Sequence, residues 1–118
     1  MQTISEALDK LSKSDFRRKF HLSQKDKEYI EKQGIEKIRI HTEDIIKKRL
    51  APAEIQNDGR QTPMRGHPVF IAQHACACCC RGCLMKWYRI PKGKALTPSQ
   101  ITKIVNLLMA WIERELNK

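Results

Sequence analysis

Five cysteines, Cys76, Cys78, Cys79, Cys80 and Cys83, stand within eight positions, and His67 and His74 lie just ahead of them. Cys80-Arg81-Gly82-Cys83 is a Cys-x-x-Cys, the spacing at which two thiolates can reach one tetrahedral zinc ion with bonds of about 2.3 Å. Adding His67 and His74 would complete a Cys2His2 set. Seven residues of straight helix, however, set two side chains about 10 Å apart along the axis, so both imidazoles reach one ion only if the helix starts after His67 and the chain bends. The expected zinc set is therefore led by Cys80, Cys83 and His74, with His67 and Cys79 as further candidate ligands.

The same residues allow two other readings. Thiols at a helix N-terminus beside Arg81 would have a lowered pKa and a reactive thiolate, which suggests redox or nucleophilic chemistry by the Cys80/Cys83 pair. The βαβ setting of a thioredoxin-like motif is missing. A nucleophilic pair of Cys80 with His74 would need an orienting carboxylate from elsewhere, for example Glu43, Asp44 or Asp58. Alternatively, several of the cysteines are simply small buried apolar residues, which suits Cys76 or Cys78. Five cysteines in eight positions fit iron–sulfur spacings poorly. The sequence has no Gly-rich phosphate loop, nucleophile elbow or zinc-deaminase signature.

A disulfide scaffold spreads its cysteines, so this clustering points to a reducing, cytoplasmic setting. No secretory signal opens the chain, and the most apolar run, Ile104 to Ile112, is about half the roughly 20 residues that cross a bilayer. The 118 residues carry a net charge of +10 from 23 Lys+Arg against 13 Asp+Glu. Acids vanish between Asp58 and Glu113, where Arg60, Arg65, Arg81, Lys86, Arg89, Lys92, Lys94 and Lys103 all lie. Such a stretch attracts phosphate, so nucleic acid or another phosphate-bearing ligand is the expected partner, met through Arg65, Arg81, Lys86 and Arg89. A solvated basic surface with no ligand is the plainer alternative. Trp87 and Tyr88 could stack bases beside Lys86 and Arg89, although aromatics at helical positions more often belong to the core, as Trp111 should.

One all-α domain, a small helical bundle, is expected to position these groups. Thr3 with Glu6 and Ser23 with Asp26 read as helix starts, and Gly34 fits the left-handed position that ends a helix. Ile4, Ala7, Leu8 and Leu11 predict a helix from Ile4 to Lys13, and Phe16 and Phe20 share one face of a short turn. Ile35, Ile38, Thr42, Ile45 and Leu50 form the next stripe, stopped by Pro52, with His41 half-buried beside it. Turn formers fill the long loop from Ala51 to Gly66. Pro68 suits the first turn of a helix over His67–His74. Thr97, Pro98 and Gln100 then open a final helix with Ile101, Ile104, Val105, Leu108, Ile112 and Leu116 on its buried face. No internal repeat appears.

Several stretches resemble a family of small bacterial proteins catalogued as domain of unknown function 4186. They are Lys48-Arg49-Leu50-Ala51-Pro52-Ala53, the run from Asn57-Asp58-Gly59-Arg60 through Thr62-Pro63-Met64-Arg65-Gly66-His67-Pro68-Val69-Phe70, Ala72-Gln73-His74-Ala75, and Cys79-Cys80-Arg81-Gly82-Cys83-Leu84. Trp87, Ile90, Pro91, Gly93 and Trp111-Ile112-Glu113-Arg114 continue the likeness. The resemblance implies no activity. It does imply departures here, with hydroxyl residues in relatives where Cys76 and Cys78 stand and a histidine where Tyr88 stands. The leading expectation is a small zinc-binding helical protein with a basic, nucleic-acid-contacting surface. A thiol-dependent enzyme and a structural interaction domain are the alternatives.

Overall fold

The computed structural model describes residues 2–55, 60 and 62–118, and among these it contains six α-helices and no strand. Helix α1 is Ile4–Ser12, α2 Gln24–Gln33, α3 Ile35–Arg49, α4 Pro68–Ala75, α5 Arg81–Tyr88 and α6 Pro98–Leu116, with a 3-10 turn at Arg17–Lys19. The all-α expectation holds. No helix of the described residues is long and apolar enough to cross a membrane.

The helix starts follow the capping chemistry. Thr3, Ser23 and Thr97 each accept the N3 backbone N–H, while Glu6, Asp26 and Gln100 reach back to the cap. Each box satisfies two backbone donors that a helix start otherwise leaves open. Gly34, at φ +89°, ends α2 and opens α3.

Helix α6 lies at the centre and packs on α1, α3 and α4. One hydrophobic cluster joins Ile38, Ile46 and Leu50, Val69 and Ala72, Leu84, and Ile104, Val105, Leu108 and Ile112. Leu108 and Ile112 are fully buried, so truncating either to alanine would cost about 2–5 kcal/mol. The α3 stripe differs from the sequence reading at one end: Ile35 is exposed and Ile46 is buried in its stead. Helix α3 packs chiefly on α6, with α2 and α4 also against it. Thr42 belongs in this apolar face because its hydroxyl donates to the Ile38 carbonyl at 2.7 Å.

The described parts of the 51–66 loop carry no helix. They are tied down from both ends. Leu96 N–H donates to the Ala51 carbonyl at 2.8 Å, and the Thr62 hydroxyl donates to the Cys79 carbonyl at 2.7 Å. Asp58, one of the carboxylates considered above, lies outside the described residues.

Candidate metal centre

The reactive segment is built by two helix ends and the turn between them. His67 caps α4, its Nδ1 accepting the Val69 N–H at 3.0 Å, and Pro68 occupies the first turn. At the other end of α4, the Cys78 N–H bonds the Gln73 carbonyl at 2.8 Å and the Ala77 N–H the His74 carbonyl at 3.4 Å. This is the Schellman pattern, which needs a left-handed residue at its centre. Ala77 takes that role at φ +57°, where glycine is usual. The Gln73 amide locks the turn by donating to the Cys78 carbonyl at 3.1 Å.

The turn sends the cysteines in two directions. Cys76 and Cys78 enter the core, with no exposure at all, and burial pushes both thiols far above their ordinary range. They are the inert buried residues the composition allowed for. Cys80 becomes the N-cap of α5, and its sulfur accepts the Cys83 N–H at 3.3 Å. One helical turn therefore brings Cys80 and Cys83 to a sulfur separation of 3.2 Å, and Cys79 lies 3.6 Å from Cys83. The ligand atoms of Cys79, Cys80 and Cys83 all fall within 4.8 Å of one another. A tetrahedral ion with bonds of about 2.3 Å spaces its sulfurs by about 3.8 Å, so modest movement would let the three converge on one ion. The cluster can coordinate a metal.

Its charge is managed by a residue that the sequence does not advertise. Arg17, on the 3-10 turn, is buried, and its guanidinium donates to the Cys83 sulfur at 3.2 Å, the Cys79 sulfur at 3.6 Å and the His74 carbonyl at 2.7 Å. The hydrogen bond with Cys83 and that with Arg17 together outweigh burial and lower the Cys79 thiol to about 7. Cys83 is pushed the other way, by its hydrogen bond with Cys79 and by burial. The pair thus releases one proton readily and retains the other. A methyl group placed on Gly82 would meet both Cys80 Sγ and Lys92 Nζ at 3.8 Å, so the lysine lies in the neighbourhood of Gly82.

Neither candidate histidine joins the thiols. The ring of His74 is turned to the loop, where Nε2 donates to the carbonyls of Thr62 and Pro63 at 3.2 and 3.1 Å, and it stacks on Phe20. With Nε2 donating, the lone pair sits on Nδ1, but no ring nitrogen of His74 is among the ligand atoms that converge with the three sulfurs. His67 faces His41, with Nε2 3.4 Å from His41 Nδ1, and burial together with His41 holds its pKa down. His41 is half-buried on α3, as expected. The lowered thiol also falls on Cys79, whereas the redox reading placed it on the Cys80/Cys83 pair. Asp44 pairs with Lys48 at 3.8 Å, and Glu43 lines a cleft with Arg39 and Lys47.

Of the four basic residues assigned to a nucleic-acid surface, Arg65, Lys86 and Arg89 are exposed. Arg81 is not. Its buried guanidinium donates to the carbonyls of Leu50, Pro52, Pro91 and Lys94 at 2.7–3.3 Å, tying the end of α3 to the α5–α6 connection. Four carbonyl dipoles stabilise the charge where it cannot reach solvent. The Tyr88 hydroxyl donates to the Cys76 carbonyl, so this position lies with the core cysteines and is not among the three converging sulfurs.

A family model described as Domain of unknown function (DUF4186) matches residues 5–113. The chain belongs to this family. The match runs from α1 into α6 and takes in both Arg17 and the thiol cluster. No solved structure matches the chain.

Proposed function

We propose that this member of the family is a small metal-binding protein in which Cys79, Cys80 and Cys83 hold zinc as thiolates, with Arg17 balancing their charge. The observation that carries the reading is the convergence of three sulfurs at a helix N-terminus beneath a buried guanidinium. Thiolate sets favour zinc, copper(I) or iron–sulfur clusters over hard cations, and the short cysteine spacing favours the single ion. Among the described residues the protein contributes three ligands, the number that a catalytic zinc keeps. The exposed Arg65, Lys86 and Arg89, in a stretch without carboxylates, would meet nucleic acid or another phosphate-bearing partner. Elemental analysis of protein purified without an affinity metal tests the zinc reading. One zinc per chain, lost in the double variant Cys80→Ser/Cys83→Ser, is the expected result. Substoichiometric metal unchanged by that variant overturns it.

A thiol-redox role is the second reading, favoured by the 3.2 Å approach of Cys80 to Cys83 and the lowered Cys79 thiol. It predicts metal-free protein that cycles between dithiol and disulfide against a glutathione buffer, with a measurable midpoint potential. Zinc that blocks alkylation of all three thiols favours the first reading over this one.

A further inference from the structure

On the face formed by α1, α5 and α6 lies a cavity of about 530 Å³ that the thiol centre does not use. We propose that it binds a small amphipathic anion, a flat apolar body bearing one carboxylate, sulfonate or phosphate. This inference stands apart from the zinc reading and uses different residues.

The size falls within the roughly 300–1,000 Å³ typical of small-molecule sites. The walls are largely apolar, with Ile4 and Ala7 from α1, Trp87 from α5 and Ile104 and Leu107 from α6. Among the described residues no carboxylate lines it, while Arg89 and Lys103 both do. An apolar body fits such walls, and the two cations select a negative head. The amide oxygens of Asn106 and Gln100 are engaged, accepting from Arg39 at 2.9 Å and from the Thr97 N–H at 2.9 Å, so these amides offer a ligand only their N–H donors, which suit an anion. Arg89 and Lys103 add positive charge to these donors. Cys78 is also part of the lining, but its thiol is fully buried and neutral, so the cavity offers binding and no nucleophile.

Arg89 supplies a second, independent sign. It ends α5 in the left-handed region, at φ +56°. Most helices that end this way use glycine, and an arginine there bears strain that glycine would avoid. Strained backbone of this kind collects at binding sites, where the side chain is needed in that place. Lys103 is exposed on α6 one turn before Leu107, so its chain runs along the same rim.

The test uses the full chain and two probes that differ in the anionic group, anilinonaphthalene sulfonate and its uncharged parent phenylnaphthylamine. Saturable one-to-one binding of the sulfonate is expected by calorimetry, about tenfold tighter than the neutral compound, since a charge-assisted contact is worth at least that ratio. Lys103→Glu should weaken the sulfonate about tenfold and leave the neutral probe unchanged. Arg89→Gly should weaken it without lowering the unfolding temperature, because glycine accepts the left-handed conformation, so the loss is not one of folding. Ile4→Trp, which fills the mouth from α1, should block both probes. Equal binding of the two compounds, or sulfonate binding that survives both Ile4→Trp and Lys103→Glu, overturns the proposal. The Cys80→Ser/Cys83→Ser variant should bind the sulfonate as the parent does; loss of binding there with the fold intact would also overturn it as a separate site.

Discussion

Cys76 and Cys78 differ from Cys79, Cys80 and Cys83 in nothing that composition records, yet they end in opposite environments. The first two are sealed in the core with thiols driven upward by desolvation, while the other three meet under Arg17 with one thiol lowered to about 7. The boundary between them is a backbone event. The left-handed Ala77 closes α4, and the N-cap role of Cys80 opens α5 three residues later. Reactivity of a cysteine is thus set here by what the turn places around it, the core for Cys76 and Cys78 and the Cys83 and Arg17 partners for Cys79.

The comparison breaks most visibly through the metal. Cys83→Ser should lower zinc affinity by more than the roughly 10–100-fold that losing an outer-shell partner costs, whereas Cys76→Ala should leave the stoichiometry intact in a zinc titration. Arg17→Met, which removes a partner of two sulfurs, should fall within that 10–100-fold range. Equal losses for Cys76→Ala and Cys83→Ser would erase the distinction.

A smaller effect, on stability alone, is expected at Arg81. Arg81→Met strips the donor from four carbonyls and should destabilise the fold by about 3 kcal/mol in urea unfolding. A change under about 0.5 kcal/mol, the scale of an ordinary surface substitution, would show that the guanidinium does not brace this junction.

Next comes the turn itself. Ala77→Val places a β-branched residue in the left-handed region and should cost about 2 kcal/mol, while Ala77→Gly, which relieves strain but removes a buried methyl, should stay within about 1 kcal/mol of the parent. Thermal unfolding of the pair reads both.

The subtlest contrast lies in pH. In metal-free protein, from about pH 7 up to the ordinary thiol value, folded Cys79 has released a proton that the unfolded chain keeps, so stability rises with pH. Above that value the unfolded chain ionises at Cys76, Cys78 and Cys83 while the folded protein retains those protons, so stability falls. The maximum between should vanish in Cys79→Ser. At the acid end, Glu115 is buried, yet bonds from Lys118, the Leu22 N–H and His21 outweigh that burial and hold its carboxyl below the ordinary value. Its contribution is present above about pH 4.3 and is lost as pH falls through the folded value. Glu115→Gln should flatten that acid limb.

Caps, proline positions and apolar stripes act over three or four residues, so the helices that carry them are legible in the sequence, whereas α5, opened by Cys80, has no such signal. Thr97-Pro98-Ser99-Gln100 opens α6 where the spacing says it must, and the stripe from Ile104 to Ile112 is the buried face. The same local spacing singles out the Cys/His segment, with Cys80, Cys83 and His74 ahead of Cys79 and His67 as candidate ligands. Which side chains converge depends on how distant segments dock. That docking set His74, whose Nε2–H bonds the loop carbonyls, and His67, which caps a helix against His41, apart from the three converging sulfurs. It also moved Arg81 from the surface into the interior. And it brought Arg17 to sulfurs 62 and 66 residues away in the chain, a contact that no local spacing can carry because it depends on how the turn after α1 docks on α4.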